Sequence, residues 1–189
     1  MKLEREERTV PRWSEKGRKE LLKTRIFSVS ERRLARSSDG KEGRFVCVEA
    51  PDWVNIVALT DRQELVLVEQ FRYGIDALTL EIPGGMVDPG EDPEGAARRE
   101  LQEETGYTAD EWRAIGSVHP NPAFQTNRTL TYLALGARRT HTPAFDEHES
   151  CRLVLASWPQ ALELVQQGAI THSLVVCGLF HAEHALREG

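Results

Sequence analysis

The stretch "GGMVDPGEDPEGAARRELQEETGY", residues 84–107, decides how the chain is to be read. Its second half is a helix with both ends marked. Asp92 is a good N-cap, Pro93 suits the first helical position, and Gly106 is a C-terminal stop. Yet Glu100, Glu103 and Glu104 crowd the end of that helix, where the macrodipole is negative and Lys or Arg is the favoured residue. Something positive has to compensate them. With about 3.6 residues per turn the three fall on one face, within an arc of roughly 100°. Arg99 lies four residues before Glu103, close enough to pair with it and hold its orientation. Arg98 and Gln102 read as solvated on the outer face, and the small Ala96 and Ala97 leave room for a loop or ligand one turn back.

Carboxylate oxygens on one face, with no His or Cys among them, select a hard cation: Mg²⁺, or Mn²⁺ in its place. Magnesium keeps several waters and is held by one or two carboxylates together with substrate phosphates, which points to phosphoanhydride chemistry. The preceding "GGMVDPGE" supplies Gly84, Gly85 and Gly90 for a tight loop whose carbonyls lie near the acids. A solvated acidic face is the ordinary reading of a Glu-Glu pair on a helix. The caps, loop and arginine around this one argue against it.

Outward from the helix, the chain reads as strands. "TRIFSVSERRLAR" and "GRFVCVEAP" flank a polar turn, and "WVNIVALT" and "ELVLVEQFRYG" look like a central hairpin parted by "DRQ". "LTLEIPGG" is a further strand, stopped by Pro83 and the paired glycines. "WRAIGSVHP" and "RTLTYLALGAR" are strands around the loop "HPNPAFQTN", and "SCRLVLAS" is another. "WPQALELVQQG" is a helix ending at Gly168, and "THSLVVCGLFHAEHALRE" is a C-terminal helix. Residues 1–24, dense in both signs of charge, read as a frayed arm or a short helix. The mixture predicts an α/β (α+β) core with helices on the sheet faces.

Composition sets the outer limits. The chain has 189 residues, 40% of them hydrophobic and 29% charged, with a net charge of -6. That balance is ordinary for a globular protein with one principal core and lacks the basic footprint of a nucleic-acid binder. An anionic substrate therefore needs local positive help. Three scattered cysteines make neither a disulfide framework nor a zinc site. With no apolar leader and no 18-residue apolar run, the expected compartment is the cytoplasm, away from membranes.

The stretch from Gly85 to Tyr107 resembles the Nudix box: Gly85, five residues, Glu91, seven residues, then "RELQEETGY". Gly85, Glu91, Arg99, Glu100, Glu103, Glu104 and Gly106 carry the likeness, and Tyr107 stands where an aliphatic residue is commoner. The likeness extends to "VEQFRYGIDALTLEIPGG" before the box and to Pro122, fifteen residues past Tyr107, which resemble the ADP-ribose and nucleotide-sugar pyrophosphatase branch. Three departures stand out. Gly84–Gly85 replaces the branch's Ala-Gly, "HPNPAFQTNR" replaces a loop that carries an acid, and Arg152 stands where an acid is common.

The resemblance implies a Nudix α/β/α sandwich with a mixed β-sheet, residues 49–189, behind a small β-rich N-terminal subdomain, residues 1–48. That subdomain would help form a homodimer and complete the partner's site. It implies metal-dependent hydrolysis of the pyrophosphate bond of ADP-ribose, or of another nucleotide sugar such as GDP-mannose, to a nucleoside monophosphate and a sugar phosphate. Gly85, Glu100, Glu103 and Glu104 would hold the metal. The general base is Glu147 (or Glu149) in the loop "FDEHE", or else Glu103 or Glu104. Arg72 and Glu81 would contact substrate, the guanidinium forking onto phosphate oxygens. Trp53 could stack on a purine, and His119 reads as structural. The alternatives are dinucleoside polyphosphates or nucleoside triphosphates as substrates and, in another class, a non-catalytic nucleotide-sugar sensor.

Overall fold

Two adjacent apolar strands sit at the centre of the sheet that carries the site. The computed structural model describes residues 9–145 and 150–188. β4 (Trp53–Thr60) and β5 (Glu64–Arg72) are β-branched and leucine-rich, and Val54, Ile56–Leu59 and Leu65–Val68 are almost wholly buried. Strands buried on both faces read as continuous apolar runs, as these do. The sheet order is β11 (Cys151–Ser157), β5, β4, β10 (Thr129–Arg139) and β8 (Tyr107–Thr108). β6 (Ala77–Glu81) pairs with β5, β7 (Gly84–Met86) with β4, and β9 (Glu111–Val118) with β10. β10 runs parallel to β4 and every other pairing is antiparallel, so the sheet is mixed.

Helices cover both faces. On one, Ala96, Ala97 and Leu101 of α1 (Pro93–Thr105) pack on Val54, Ile56, Ala58, Val66 and Ala134. On the other, Ala161 of α2 (Trp158–Gln166) and Val175, Leu179 and Ala182 of α3 (Ser173–Glu188) pack on Val57, Leu59, Leu65, Leu67 and Leu133. Each fully buried Leu, Ile or Val contributes roughly 1.5–3 kcal/mol. This is an α/β/α sandwich, as the sequence predicts.

The chain divides into two compact units. One is Pro51–Pro120 with Asn127 onward; the other takes the residues up to Ala50 together with Asn121–Thr126. The second unit holds an antiparallel sheet of β1 (Trp13–Lys23), β2 (Ser28–Arg36) and β3 (Glu42–Glu49). Glu15 ties Arg18 and Arg32 across it, and Arg18 reaches Glu49 at 2.6 Å. β1 replaces the frayed arm or helix expected there. It is exposed along its whole length, so it carries no apolar period, and its pairing with β2 makes it a strand.

Other readings are corrected by tertiary packing. Gly84 and Gly85 do not simply stop a strand; they begin β7, paired with Asn55 and Val54. Ala96 and Ala97 are fully buried under the sheet and leave no room for a ligand. Arg98 is exposed on the outer face as expected, and in addition pairs with Glu94 at 2.7 Å and lies over the Trp112 ring, 4.7 Å from its centre. Cys47, Cys151 and Cys177 form no disulfide with one another, and no described helix is long and apolar enough to cross a membrane.

Candidate active site

The caps of α1 are those its sequence announces. The Asp92 carboxylate accepts from the Gly95 N–H at 3.1 Å, and Gly106 takes the left-handed conformation (φ 75°) that ends the helix. Between them the helix carries its acids toward β7. Arg99 is the hub. Its guanidinium donates to both Glu91 oxygens at 3.0 Å, to Glu100 at 2.8 Å, to Glu103 at 3.0 Å and to the Met86 carbonyl at 3.0 Å. These bonds join the loop before the helix to the acids at its end. The Glu91 hydrogen bonds, with those to Glu100 and Glu103 and the Glu100 charge, raise the Arg99 pKa further despite burial. In return Arg99 holds the Glu91 carboxyl below its ordinary value. The positive charge that the acids require is thus present in the chain itself.

Glu104 lies deeper, 8% exposed, and accepts from the Gly84 N–H at 3.0 Å. The two glycines earn their places differently. A Cβ on Gly84 would strike the Val54 carbonyl oxygen, a rigid backbone atom. A Cβ on Gly85 would strike the Glu100 carboxylate, the end of a movable side chain. The second glycine is therefore where backbone and carboxylate approach most closely.

Glu100, Glu103, Glu104, Gly85 and Arg72 line one cleft of about 240 Å³, together with Trp53, Gln70, Gly84, Met86, Asp88, Arg99 and Ala144. Of the residues singled out in the sequence, Glu81 is not among these. It is 3% exposed and sits behind Arg72, which donates to its two oxygens at 2.7 and 2.6 Å, while the Thr79 hydroxyl donates at 2.6 Å. Burial pushes the Glu81 carboxyl up, but the Arg72 and Thr79 hydrogen bonds and the Arg72 charge outweigh it and leave its pKa lowered. Glu81 thus orients Arg72 and is not open to a sugar or a base. His119 is exposed and away from the cleft, and Glu147 and Glu149 lie outside the described residues. Arg152, the third departure, pairs with Glu69 at 2.7 Å.

Gln70, Met86, Asp88 and Ala144 are the lining residues that the sequence reading missed. Gln70 had a signal: it lies two positions before Arg72 on one strand, and residues i and i+2 share a face. Ala144 had none, since it arrives through a tertiary hydrogen bond from its N–H to the Glu103 carbonyl at 2.8 Å.

Whether these residues suit a metal follows from their chemistry. The donors are all oxygen, as a hard divalent cation requires, and Gly85 leaves the space beside Glu100 that a side chain would fill. No cage is preformed: among the described residues no three His, Cys, Asp or Glu side chains are gathered as for an ion, and Arg99 holds Glu100 and Glu103 instead. The set fits a cation that arrives with its own waters and takes one or two carboxylates.

The chain is similar to known proteins in sequence and in fold. The family model described as the NUDIX domain matches residues 51–173. An ADP-ribose pyrophosphatase of Bacillus subtilis is 34% identical over 133 residues, covering 68% of this chain and 70% of that protein. A methanol dehydrogenase activator of Bacillus methanolicus is 31% identical over 139 residues, covering 73% of this chain and 75% of that protein. A solved ADP compounds hydrolase superposes with a TM-score of 0.84 over 96% of this chain and 97% of its own, at 22% identity, and so shares the fold. The chain belongs to the Nudix family, in the branch of the ADP-ribose pyrophosphatases, and is a Nudix pyrophosphohydrolase.

Proposed function

We propose that this enzyme uses Mg²⁺ to hydrolyse the pyrophosphate bond of a nucleoside diphosphate sugar, with ADP-ribose the first substrate to test. The products would be a nucleoside monophosphate and a sugar phosphate. One observation carries the reading: an oxygen-only carboxylate face and an oriented arginine line the same cleft, with an aromatic side chain, Trp53, beside them. The two pyrophosphatases that match from Bacillus subtilis and Mycobacterium tuberculosis support ADP-ribose over other sugars.

In this reading Glu100, Glu103 and Glu104, with the Gly85 carbonyl, hold the metal. Bound there, the cation would neutralise phosphate charge and lower the pKa of a coordinated water. The chain's own residues do the rest. Arg72 forks onto phosphate oxygens, which pair well with a planar guanidinium. Trp53 offers a face for the base. Glu103 is the described acid best suited to take the proton from the attacking water. Each acid has one oxygen engaged, Glu103 by Arg99 and Glu104 by Gly84, but the Glu103 side chain is 44% exposed whereas Glu104 is 8% exposed. Glu147 is the competing base, and comparing Glu103→Gln with Glu147→Gln decides between them. The reaction gains from positioning and charge stabilisation more than from covalent help.

The same reading places the enzyme in the cytoplasm as a homodimer, with the N-terminal sheet, residues up to about 48, as the dimerisation element. Sedimentation of the full chain and of a chain lacking those residues tests that part; full activity in a truncated monomer overturns it. The activity test is product analysis on ADP-ribose, GDP-mannose, UDP-glucose, diadenosine polyphosphates and nucleoside triphosphates with Mg²⁺. Monophosphate and sugar phosphate from a nucleotide sugar support the proposal. Turnover of the triphosphates alone rejects it.

A further inference from the structure

The strand β6 inverts the usual pattern of burial. Leu78 is 65% exposed, whereas the polar Thr79 and Glu81 are 6% and 3% exposed. Residues two apart on a strand share a face, so these two lie on the side of their register partners on β5, Gln70 and Val68. Exposing a leucine while burying a hydroxyl and an acid runs against the hydrophobic effect at those positions. The reason for it lies in what the polar groups hold.

They hold Arg72. Its own register partner is Ala77, so it reaches back past the Gln70–Thr79 pair to Glu81. Nε donates to one Glu81 oxygen at 2.7 Å and Nη2 to the other at 2.6 Å. This side-on fork leaves the Nη1–Nη2 edge without a protein partner among the described residues, on a side chain that lines the cleft. A fork fixes two side chains to each other and still lets them swing together. A third bond removes that freedom: the Thr79 hydroxyl donates to Oε1 of Glu81 at 2.6 Å. The hydroxyl also lies 3.3 Å from the Gln70 carbonyl oxygen, but its single proton goes to the nearer, charged partner. Threonine is stiff at χ1, so this bond is anchored to the backbone of β6. We propose that Thr79 is a positioning residue: it fixes the Arg72–Glu81 fork to the sheet and so holds the open guanidinium edge in one place for a phosphate of the nucleotide sugar. The inference rests on the proposed role of Arg72 as a phosphate contact.

The test is steady-state hydrolysis of ADP-ribose with Mg²⁺ by the full-length protein, across pH. Thr79→Val keeps the shape and loses the hydroxyl; Thr79→Ala reads the same loss should the valine variant not fold, and Thr79→Ser restores the bond. KM should rise about tenfold in the first two, the worth of one bond to a charged group, with kcat less changed and the serine variant close to wild type. The acid limb of kcat/KM should also move. The Thr79 bond favours ionised Glu81, so its loss raises that carboxyl, and activity should be lost about one pH unit higher. The other charged or titratable groups acting on the pair, His172 on Glu81 and Glu104 and Cys151 on Arg72, are the same in every variant. In an Arg72→Lys background Thr79→Val should add nothing to KM, because the fork it steadies is gone. An unchanged KM and acid limb, a loss of melting temperature alone, or a full extra effect in that background overturns the inference and leaves the proposed function standing. A wild type that hydrolyses no nucleotide sugar overturns both.

Discussion

Two arginines line the cleft, and the chain treats them in opposite ways. Arg99 is bound on every side, to three glutamates and the Met86 carbonyl, and so fastens the loop before α1 to the helix end. Among the described residues Arg72 is gripped from one side, by Glu81, and its other side faces the cleft. The first arrangement is a rivet and the second a hinge. The difference teaches where rigidity is wanted: the acids that would hold a metal need fixed positions, whereas an arginine proposed to meet a phosphate is held by a carboxylate on one side and left open on the other. Both guanidiniums have raised pKa values, each chiefly through its carboxylate partner, so charge alone would not tell them apart.

The largest effect should come from the deeper acid of the same helix face, held by Gly84. Glu104→Gln keeps an oxygen that can accept from Gly84 but removes the charge, and we expect kcat to fall by about 10²–10³-fold, the usual loss when one electrostatic contributor to a transition state goes. The melting temperature in the absence of metal should barely move, and a matching fall in both would show that the residue is structural.

Next come the two glycines beside it. Gly84→Ala meets a backbone carbonyl that cannot yield, so about 1–3 kcal/mol of stability should be lost in urea unfolding. Gly85→Ala meets only the movable Glu100 carboxylate; it should fold nearly normally yet lose activity and its thermal response to Mg²⁺. If both variants behave alike, Gly85 has no separate role in the site.

For the hinge, Arg72→Lys keeps the charge and loses the fork. KM for ADP-ribose should rise about 10–100-fold with less change in kcat, the range for one charge-assisted contact. An unchanged KM would mean that Arg72 makes no forked contact with the substrate.

The smallest effect is the pH dependence of stability. Glu91 and Glu81 have lowered pKa values in the fold, so the stability they contribute is full above the ordinary carboxylate range and is lost as pH falls through their folded values. His172 is also lowered, so the unfolded chain binds its proton first, and stability declines as pH falls below the ordinary histidine value. Unfolding curves from about pH 7 to about pH 2 should therefore fall in two stages, and His172→Gln should remove the upper one. Arg99→Ala should shrink the lower stage, because Glu91 then titrates as an ordinary carboxyl.

Much of this was legible in the residues alone. Local rules wrote α1: its N-cap, first proline, terminal glycine and the one-face spacing of its glutamates all act within a few residues, and the structure repeats them. The buried strands announced themselves by continuous β-branched runs, and the box around Arg99 by a pattern too specific for chance. Where contacts come from far along the chain, the sequence was silent. β1 has no apolar face to betray it, and only its partner strand makes it one. Ala144 joins the cleft through a long-range hydrogen bond to the Glu103 carbonyl. Glu81, an unremarkable acid at a strand end, became a buried anion only when β5 and β6 paired and brought Arg72 over it. Spacing along a helix is set by the backbone's own geometry and can be read from one segment. Burial and the choice of an ion partner depend on which segments pack together, and only the tertiary structure decides that.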